Sequence, residues 1–118
     1  MTGDATSPAD SEGRKAQLLK GLAELALLSV LRQEPRYGLD ILDRLRDDAG
    51  LPIAEGTIYP LLHRLERGGS IRAEWRIDDK GARPRKYYAL TDQGAEELAA
   101  LHGEWRRISS ALSAFLDR

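Results

Sequence analysis

Between Glu55 and Tyr88 the spacing of apolar residues changes once, from steps of three and four to steps of two, and the change falls on the pair Gly68-Gly69. A chain with that switch has to fold there as a helix followed by strands. Ile58, Leu61, Leu62 and Leu65 share one helical face, which leaves Thr57, Tyr59, His63, Arg64 and Arg67 on the other. Glycine accepts the left-handed backbone that closes many helices, so the pair is the predicted stop. Ile71, Ala73, Trp75 and Ile77 then fall on one side of a strand and Arg72, Glu74 and Arg76 on the other, which predicts a half-buried strand with Trp75 in the core. Asp78, Asp79, Lys80 and Gly81 supply turn chemistry, and Pro84 excludes a regular central ladder until Arg85 to Leu90 returns antiparallel. Tyr87 and Tyr88 alternate sides of that second strand. One belongs in the core and one outside, and the alternation does not choose between them.

The flanks extend the pattern. From Gln17 to Gln33 the apolar residues Leu18, Leu19, Leu22, Leu25, Leu27, Leu28, Val30 and Leu31 cover more than one face of a helix. One chain of 118 residues struggles to bury them all, so Leu22 is expected at a contact between subunits. Pro35 ends this helix. A second helix is predicted from Tyr37 to about Ala49, with Leu39, Ile41, Leu42 and Leu45 inward, and Gly50 and Pro52 close it. The third begins at Ala54 or Glu55 and contains Pro60, which removes a donor and is expected to bend it. Thr91 is a good cap for a long final helix with Asp92, Glu96 and Glu97 in its early turns. Leu98, Leu101, Trp105, Ile108, Leu112 and Phe115 recur along it at steps of three and four, a narrow seam suited to another long helix. The predicted fold is therefore mainly α with a small β-hairpin: a winged helix-turn-helix over 17–90 with a long C-terminal dimerisation helix over 91–118. Residues 1–16 carry no apolar period and read as a mobile tail.

Composition removes several functions. Hydrophobic residues at 42% and charged residues at 31% suit a single soluble domain. The apolar run from Leu22 to Leu31 is broken by Glu24 and is too short for a bilayer, and no apolar leader precedes it, so a cytoplasmic protein with no membrane partner is expected. Without cysteine there is no disulfide framework and no thiolate zinc site. His63 and His102 stand alone, and no nucleophile-base pair or phosphate-cradling glycine loop is present, so neither metal, cofactor nor catalytic residue is predicted. The charge is unevenly spread: eight cationic side chains against five carboxylates between Glu55 and Tyr88 give +3 in a chain of net −1. Such a patch can neutralise phosphates because the relevant field is local, and repulsion from the rest of the chain is screened beyond about 8 Å at physiological ionic strength.

These residues resemble the PadR family of bacterial transcriptional regulators, in its short subfamily that ends after one long helix. The resemblance runs from about Leu18 to Leu116. It is carried by Leu18-Leu-Lys-Gly21, Pro35 with Tyr37-Gly38, Glu55-Gly-Thr-Ile-Tyr-Pro-Leu-Leu62, Arg64-Leu-Glu66, Trp75, Arg85-Lys-Tyr-Tyr88, Leu90-Thr91 with Gly94, and Trp105. It implies a homodimer on a pseudo-palindromic double-stranded DNA operator, repressing a promoter and released by a small aromatic or lipophilic ligand. Thr57 and Tyr59 would then meet base edges and phosphates at the start of the recognition helix, with His63 and Arg64 a turn further on. Arg64 has the alternative of pairing with Glu66 or Glu55. Tyr37 would hold a phosphate, and Lys80, Arg83, Arg85 and Lys86 would be the wing contacts. Trp105 either supplies buried area at the seam or stacks a flat ligand. The sequence departs from the family at Ala54, which offers no cap, and at Ser70, where an aliphatic residue usually begins the strand; each is expected to cost about 1 kcal/mol. The competing reading is a winged-helix protein-interaction module without specific DNA binding.

Overall fold

Seven side chains, Leu27, Leu28, Ile41, Leu45, Ile58, Leu62 and Ile71, are almost wholly removed from water, and they come from three helices and the start of one strand. Each contributes roughly 2 kcal/mol by burial, enough to fix how the three helices cross. The computed structural model describes residues 13–14, 18–19, 21–77 and 83–118. Among them the order is α1 (Ala23–Val30), β1 (Arg36–Tyr37), α2 (Gly38–Asp47), α3 (Glu55–Arg67), β2 (Ile71–Arg76), β3 (Arg85–Leu90) and α4 (Asp92–Leu116). The tail expected over 1–16 lies outside the described residues apart from Gly13 and Arg14, which are helical. The turn from Asp78 to Ala82 lies outside them too.

α1 stops at Val30, short of the predicted Gln33. Its last amides tighten instead of continuing: Leu31 N–H reaches the carbonyls of Leu27 and Leu28, and Arg32 N–H that of Ser29. Arg36 then donates its Nε–H to the Val30 carbonyl at 3.2 Å and its Nη1–H to Asp40 at 3.2 Å, so a nearly buried guanidinium caps α1 and anchors α2. The hairpin is in fact the larger part of a three-stranded antiparallel sheet, β1-β3-β2, in which Arg36 lies opposite Tyr88 and Tyr37 opposite Tyr87. Two-residue β1 ties the start of α2 to the returning strand. Leu39, expected inward, is 54% exposed in the first turn of α2, at the wall of an open crevice it shares with Tyr59 of α3. α3 runs through Pro60 as one helix; Ala54 caps it with no side-chain bond, as its chemistry required.

The end of α3 follows the glycine prediction. Gly69 has φ of 87°, Gly69 N–H donates to Glu66 and Ser70 N–H to Leu65, the paired bonds that close a helix through a left-handed residue. The start of α4 is built on Gly68, Gly69 and Ser70. Thr91 Oγ1 accepts from Gly94 N–H at 3.0 Å and donates to the Gly69 carbonyl at 2.6 Å. Thr91 N–H donates to the Ser70 carbonyl, and Gln93 Nε2–H to that of Gly68 at 2.9 Å. Ser70, expected to weaken this region, is buried and donates its hydroxyl to Glu97 at 2.6 Å. That bond, and a second from Gln93, hold the Glu97 carboxyl below its ordinary range.

Gly94 leaves no room in this junction, since a Cβ there would overlap the Ser70 carbonyl oxygen. Gly94→Ala should therefore destabilise the protein by about 2 kcal/mol or more, a fall in Tm of roughly 10 °C at fixed protein concentration. Thermal unfolding followed by circular dichroism measures it; an unchanged Tm would contradict the packing described.

Candidate nucleic-acid interface

The strand register sorts the wing side chains into two faces. Ile71 opposite Leu90, Ala73 opposite Tyr88 and Trp75 opposite Lys86 share the face toward the helices. Arg72 opposite Ala89, Glu74 opposite Tyr87 and Arg76 opposite Arg85 share the outer one. The choice between the tyrosines is thereby made: Tyr88 is the core residue, 7% exposed, and Tyr87 lies outside with its ring 5.5 Å from that of Tyr37, edge to face. Arg76 and Arg85, like charges directly across from each other, would repel. Each is placed over a ring instead, Arg76 4.9 Å from Tyr87 and Arg85 4.4 Å from Tyr37, and Arg76 also pairs with Glu74 at 2.6 Å. The far end of the hairpin thus holds its cations side by side.

On α3, Thr57, Tyr59, His63 and Arg64 are all exposed, while Ile58, Leu61, Leu62 and Leu65 are buried as predicted. The Tyr59 ring lies across the start of α2, so close that a Cβ on Gly38 would approach it to 2.7 Å. Burial first, and the Glu55 charge second, push its hydroxyl above the ordinary tyrosine value, so it remains a neutral hydrogen-bond donor at physiological pH. Arg64 pairs with neither Glu66 nor Glu55 but with Glu24 of α1 at 2.9 Å. Exposed as that pair is, it is worth less than about 1 kcal/mol and leaves Arg64 free to exchange partners. Glu66 takes Lys86 instead, at 3.4 Å, and Lys86 Nζ stands 5.6 Å from the Tyr88 ring centre. Tyr37, Tyr59, Arg85 and Lys86 therefore converge where α2, α3 and the wing meet; Arg83 is exposed beyond them. Lys80 lies outside the described residues.

Trp75 is not a core residue. It is 69% exposed, because β2 runs on past the helical core after Ala73, and Ile77, beyond the end of the strand, is 66% exposed. Alternation told which side the ring takes but not where the body ends. The seam on α4 also divides. Leu98 is 8% exposed within the domain's own core and Leu101 packs against that core, whereas Trp105, Ile108, Leu112 and Phe115 remain exposed. Leu22 is half-buried. Trp105 overhangs a groove of about 620 Å³ between α1 and α4, with Leu25, Arg32, Leu98 and His102 in its walls.

Three crossed helices, an exposed third-helix face and a cationic hairpin beside it define a winged helix-turn-helix, the architecture of a DNA-binding regulator. Residues 27–100 match the transcriptional regulator PadR-like family, and the chain belongs to that family. Its fold is similar to a PadR family transcriptional regulator from Eggerthella lenta, at 33% identity and TM-score 0.77 over 92% of this chain and 94% of that one. A PadR-like transcriptional regulator from Bacillus cereus gives 32% identity and TM-score 0.77 over 86% of this chain and 98% of that one. The transcriptional regulator Rv3488 of Mycobacterium tuberculosis is 41% identical over 49 residues, 42% of this chain and 44% of that protein. Members of the family bind DNA and are not enzymes. Among the described residues no helix is long and apolar enough to cross a membrane.

The Gly38 contact with Tyr59 can be checked without DNA. Gly38→Ala should cost about 1–3 kcal/mol in the intact protein and close to nothing in a Tyr59→Ala background. Chemical denaturation of the four proteins gives the coupling, and equal costs in both backgrounds would dismiss the contact.

Proposed function

We propose that this DNA-binding regulator is a homodimeric repressor acting on a pseudo-palindromic operator. The observation that carries the reading is the convergence of Tyr37, Tyr59, Arg85 and Lys86 at one corner, beside the exposed Thr57, His63 and Arg64. Helix residues there suit base edges and nearby phosphates, while Arg83 and the paired cations of the wing suit the backbone or minor groove. A protein-interaction module has no need of that cationic end.

The dimer is supported by the apolar half of α4 beyond Leu101, which nothing in the described chain covers. Trp105, Ile108, Leu112 and Phe115 continue at steps of three and four, the spacing for a second copy of the same helix. Half-buried Leu22 is proposed to join that seam, whereas Leu98 and Leu101 contribute mainly to their own core. The groove beside Trp105 suits a flat aromatic or lipophilic effector whose binding would release the operator, and a cytoplasmic location fits such a role.

Fluorescence anisotropy against the DNA upstream of the protein's own gene, with a scrambled duplex as control and across a salt series, tests the repressor reading. Arg83→Ala and Lys86→Ala should each weaken binding to both duplexes and lower the salt slope by about one. Full affinity in both variants would remove the wing from the interface. For assembly, light scattering should give a dimer mass, and Ile108→Glu with Leu112→Glu should give a monomer; these positions are chosen because Leu101 also serves the domain core. A monomeric unmodified protein would end the dimer proposal.

A further inference from the structure

We infer that Trp75 is a DNA-contacting residue, its indole resting on the deoxyribose face of the backbone strand that passes between the recognition helix and the wing. The inference rests on the DNA-binding reading and adds to it a contact that sequence alternation assigned to the core.

Four observations lead there. Trp75 is 69% exposed and Ile77, just past the end of β2, 66%, so the chain carries a large apolar surface that nothing among its described residues covers. The register with Lys86 turns that surface toward the helices, the side on which Tyr59 projects from α3. Between them lies a crevice of about 280 Å³ whose walls include Gly38, Leu39, Tyr59, Trp75, Pro84 and Lys86. Among all its lining residues there are two cations, Arg85 and Lys86, and no carboxylate.

Charge and chemistry together select the occupant. A second copy of this chain, of net charge −1, would meet a rim in which Glu66 offsets Lys86 only through an exposed pair and Arg85 rests on a ring with its charge intact, a surface that suits a dense row of anions better than a near-neutral partner. A nucleic-acid backbone alternates anionic phosphate with apolar sugar, and the crevice alternates cation with ring in the same way. Phosphates would take Arg85 and Lys86; the sugar between them would take the Trp75 face. The crevice is also continuous with the reading helix, since Tyr59 belongs to both. A sugar contact carries no base identity, so Trp75 adds affinity without choosing sequence.

Acrylamide quenching of tryptophan emission tests this directly, because the chain has two tryptophans and a Trp75→Phe variant isolates the share of Trp75 by difference. The probes are a 30-base-pair duplex from upstream of the protein's own gene and a scrambled duplex at low salt, with saturation followed separately by anisotropy of the labelled DNA. Saturation should lower the quenching of Trp75 about threefold with either duplex. Trp75→Ala should weaken both complexes by roughly tenfold while leaving the salt slope unchanged, and Trp75→Phe should recover most of the loss. Anisotropy that saturates while Trp75 stays equally quenchable would overturn the inference and leave DNA binding standing. Protection that grows with protein concentration in the absence of DNA would assign the face to a second copy and overturn it as well. Failure of any duplex to bind at low salt would remove both readings.

Discussion

The contact between Gly94 and the Ser70 carbonyl sets the relation between the two halves of the molecule. The carbonyls of Gly68, Gly69 and Ser70, which a helix end leaves without intrahelical partners, are all taken by Thr91 or Gln93 from the first turn of α4. Ser70 in turn gives its hydroxyl to Glu97, a bond to an ionised acceptor and so stronger than its neutral neighbours. The recognition helix therefore ends, and the long helix begins, inside one hydrogen-bonded knot. Only glycine at 94 lets the two backbones come this close. The strand β2 leaves from the same point, so the wing angle is fixed there too.

At the other end of the hairpin the forces oppose one another. Arg76 and Arg85 stand opposite across the ladder, an arrangement that costs stability by itself. Tyr87 and Tyr37 lie under them, and Tyr37 is tied to Tyr87 by β1. Rings hold guanidinium groups without neutralising them. Glu74 offsets Arg76 only in part, as an exposed pair. A net cationic edge thus survives folding in a protein whose total charge is −1. Its like charges are most relieved when an anion arrives, which is a reason for the region to favour phosphate over water.

Much of this was legible in the sequence, for reasons that residues make plain. Ile58, Leu61, Leu62 and Leu65 are buried because a helical period records a buried face, and Thr91 caps α4 because its oxygen has the reach to Gly94 N–H. What was missed lacks a period. β1 is two residues long, too short to alternate, and Arg36 gives no local sign that its guanidinium will be buried against Val30 and Asp40. Arg64 finds Glu24 across 40 residues of chain, a pairing that depends on how helices cross. Trp75 was misassigned because alternation reports the side of a strand and says nothing of where the body beneath it ends. A tryptophan flanked by Arg76 and Glu74, three residues before a charged turn, was the available hint.

The division of α4 follows from the same limit and has the larger consequence. One stripe of apolar residues reads as one seam, yet Leu98 belongs to the domain core and Phe115 to no core among the described residues. The helix is a single element of 25 residues, roughly 37 Å long, so the two ends cannot move independently without bending it. In the homodimer proposed above, the second half would be held by the partner while the first is held by Ser70 and the end of α3. A shift of one helix against its partner then reaches the recognition helix through Thr91, Gln93 and Glu97 with few soft joints between. The groove beside Trp105 lies where α4 passes from its own core to the exposed stretch. A ligand wedged there would act on the segment that connects the two cores, and differential binding to two such arrangements is what a released repressor requires.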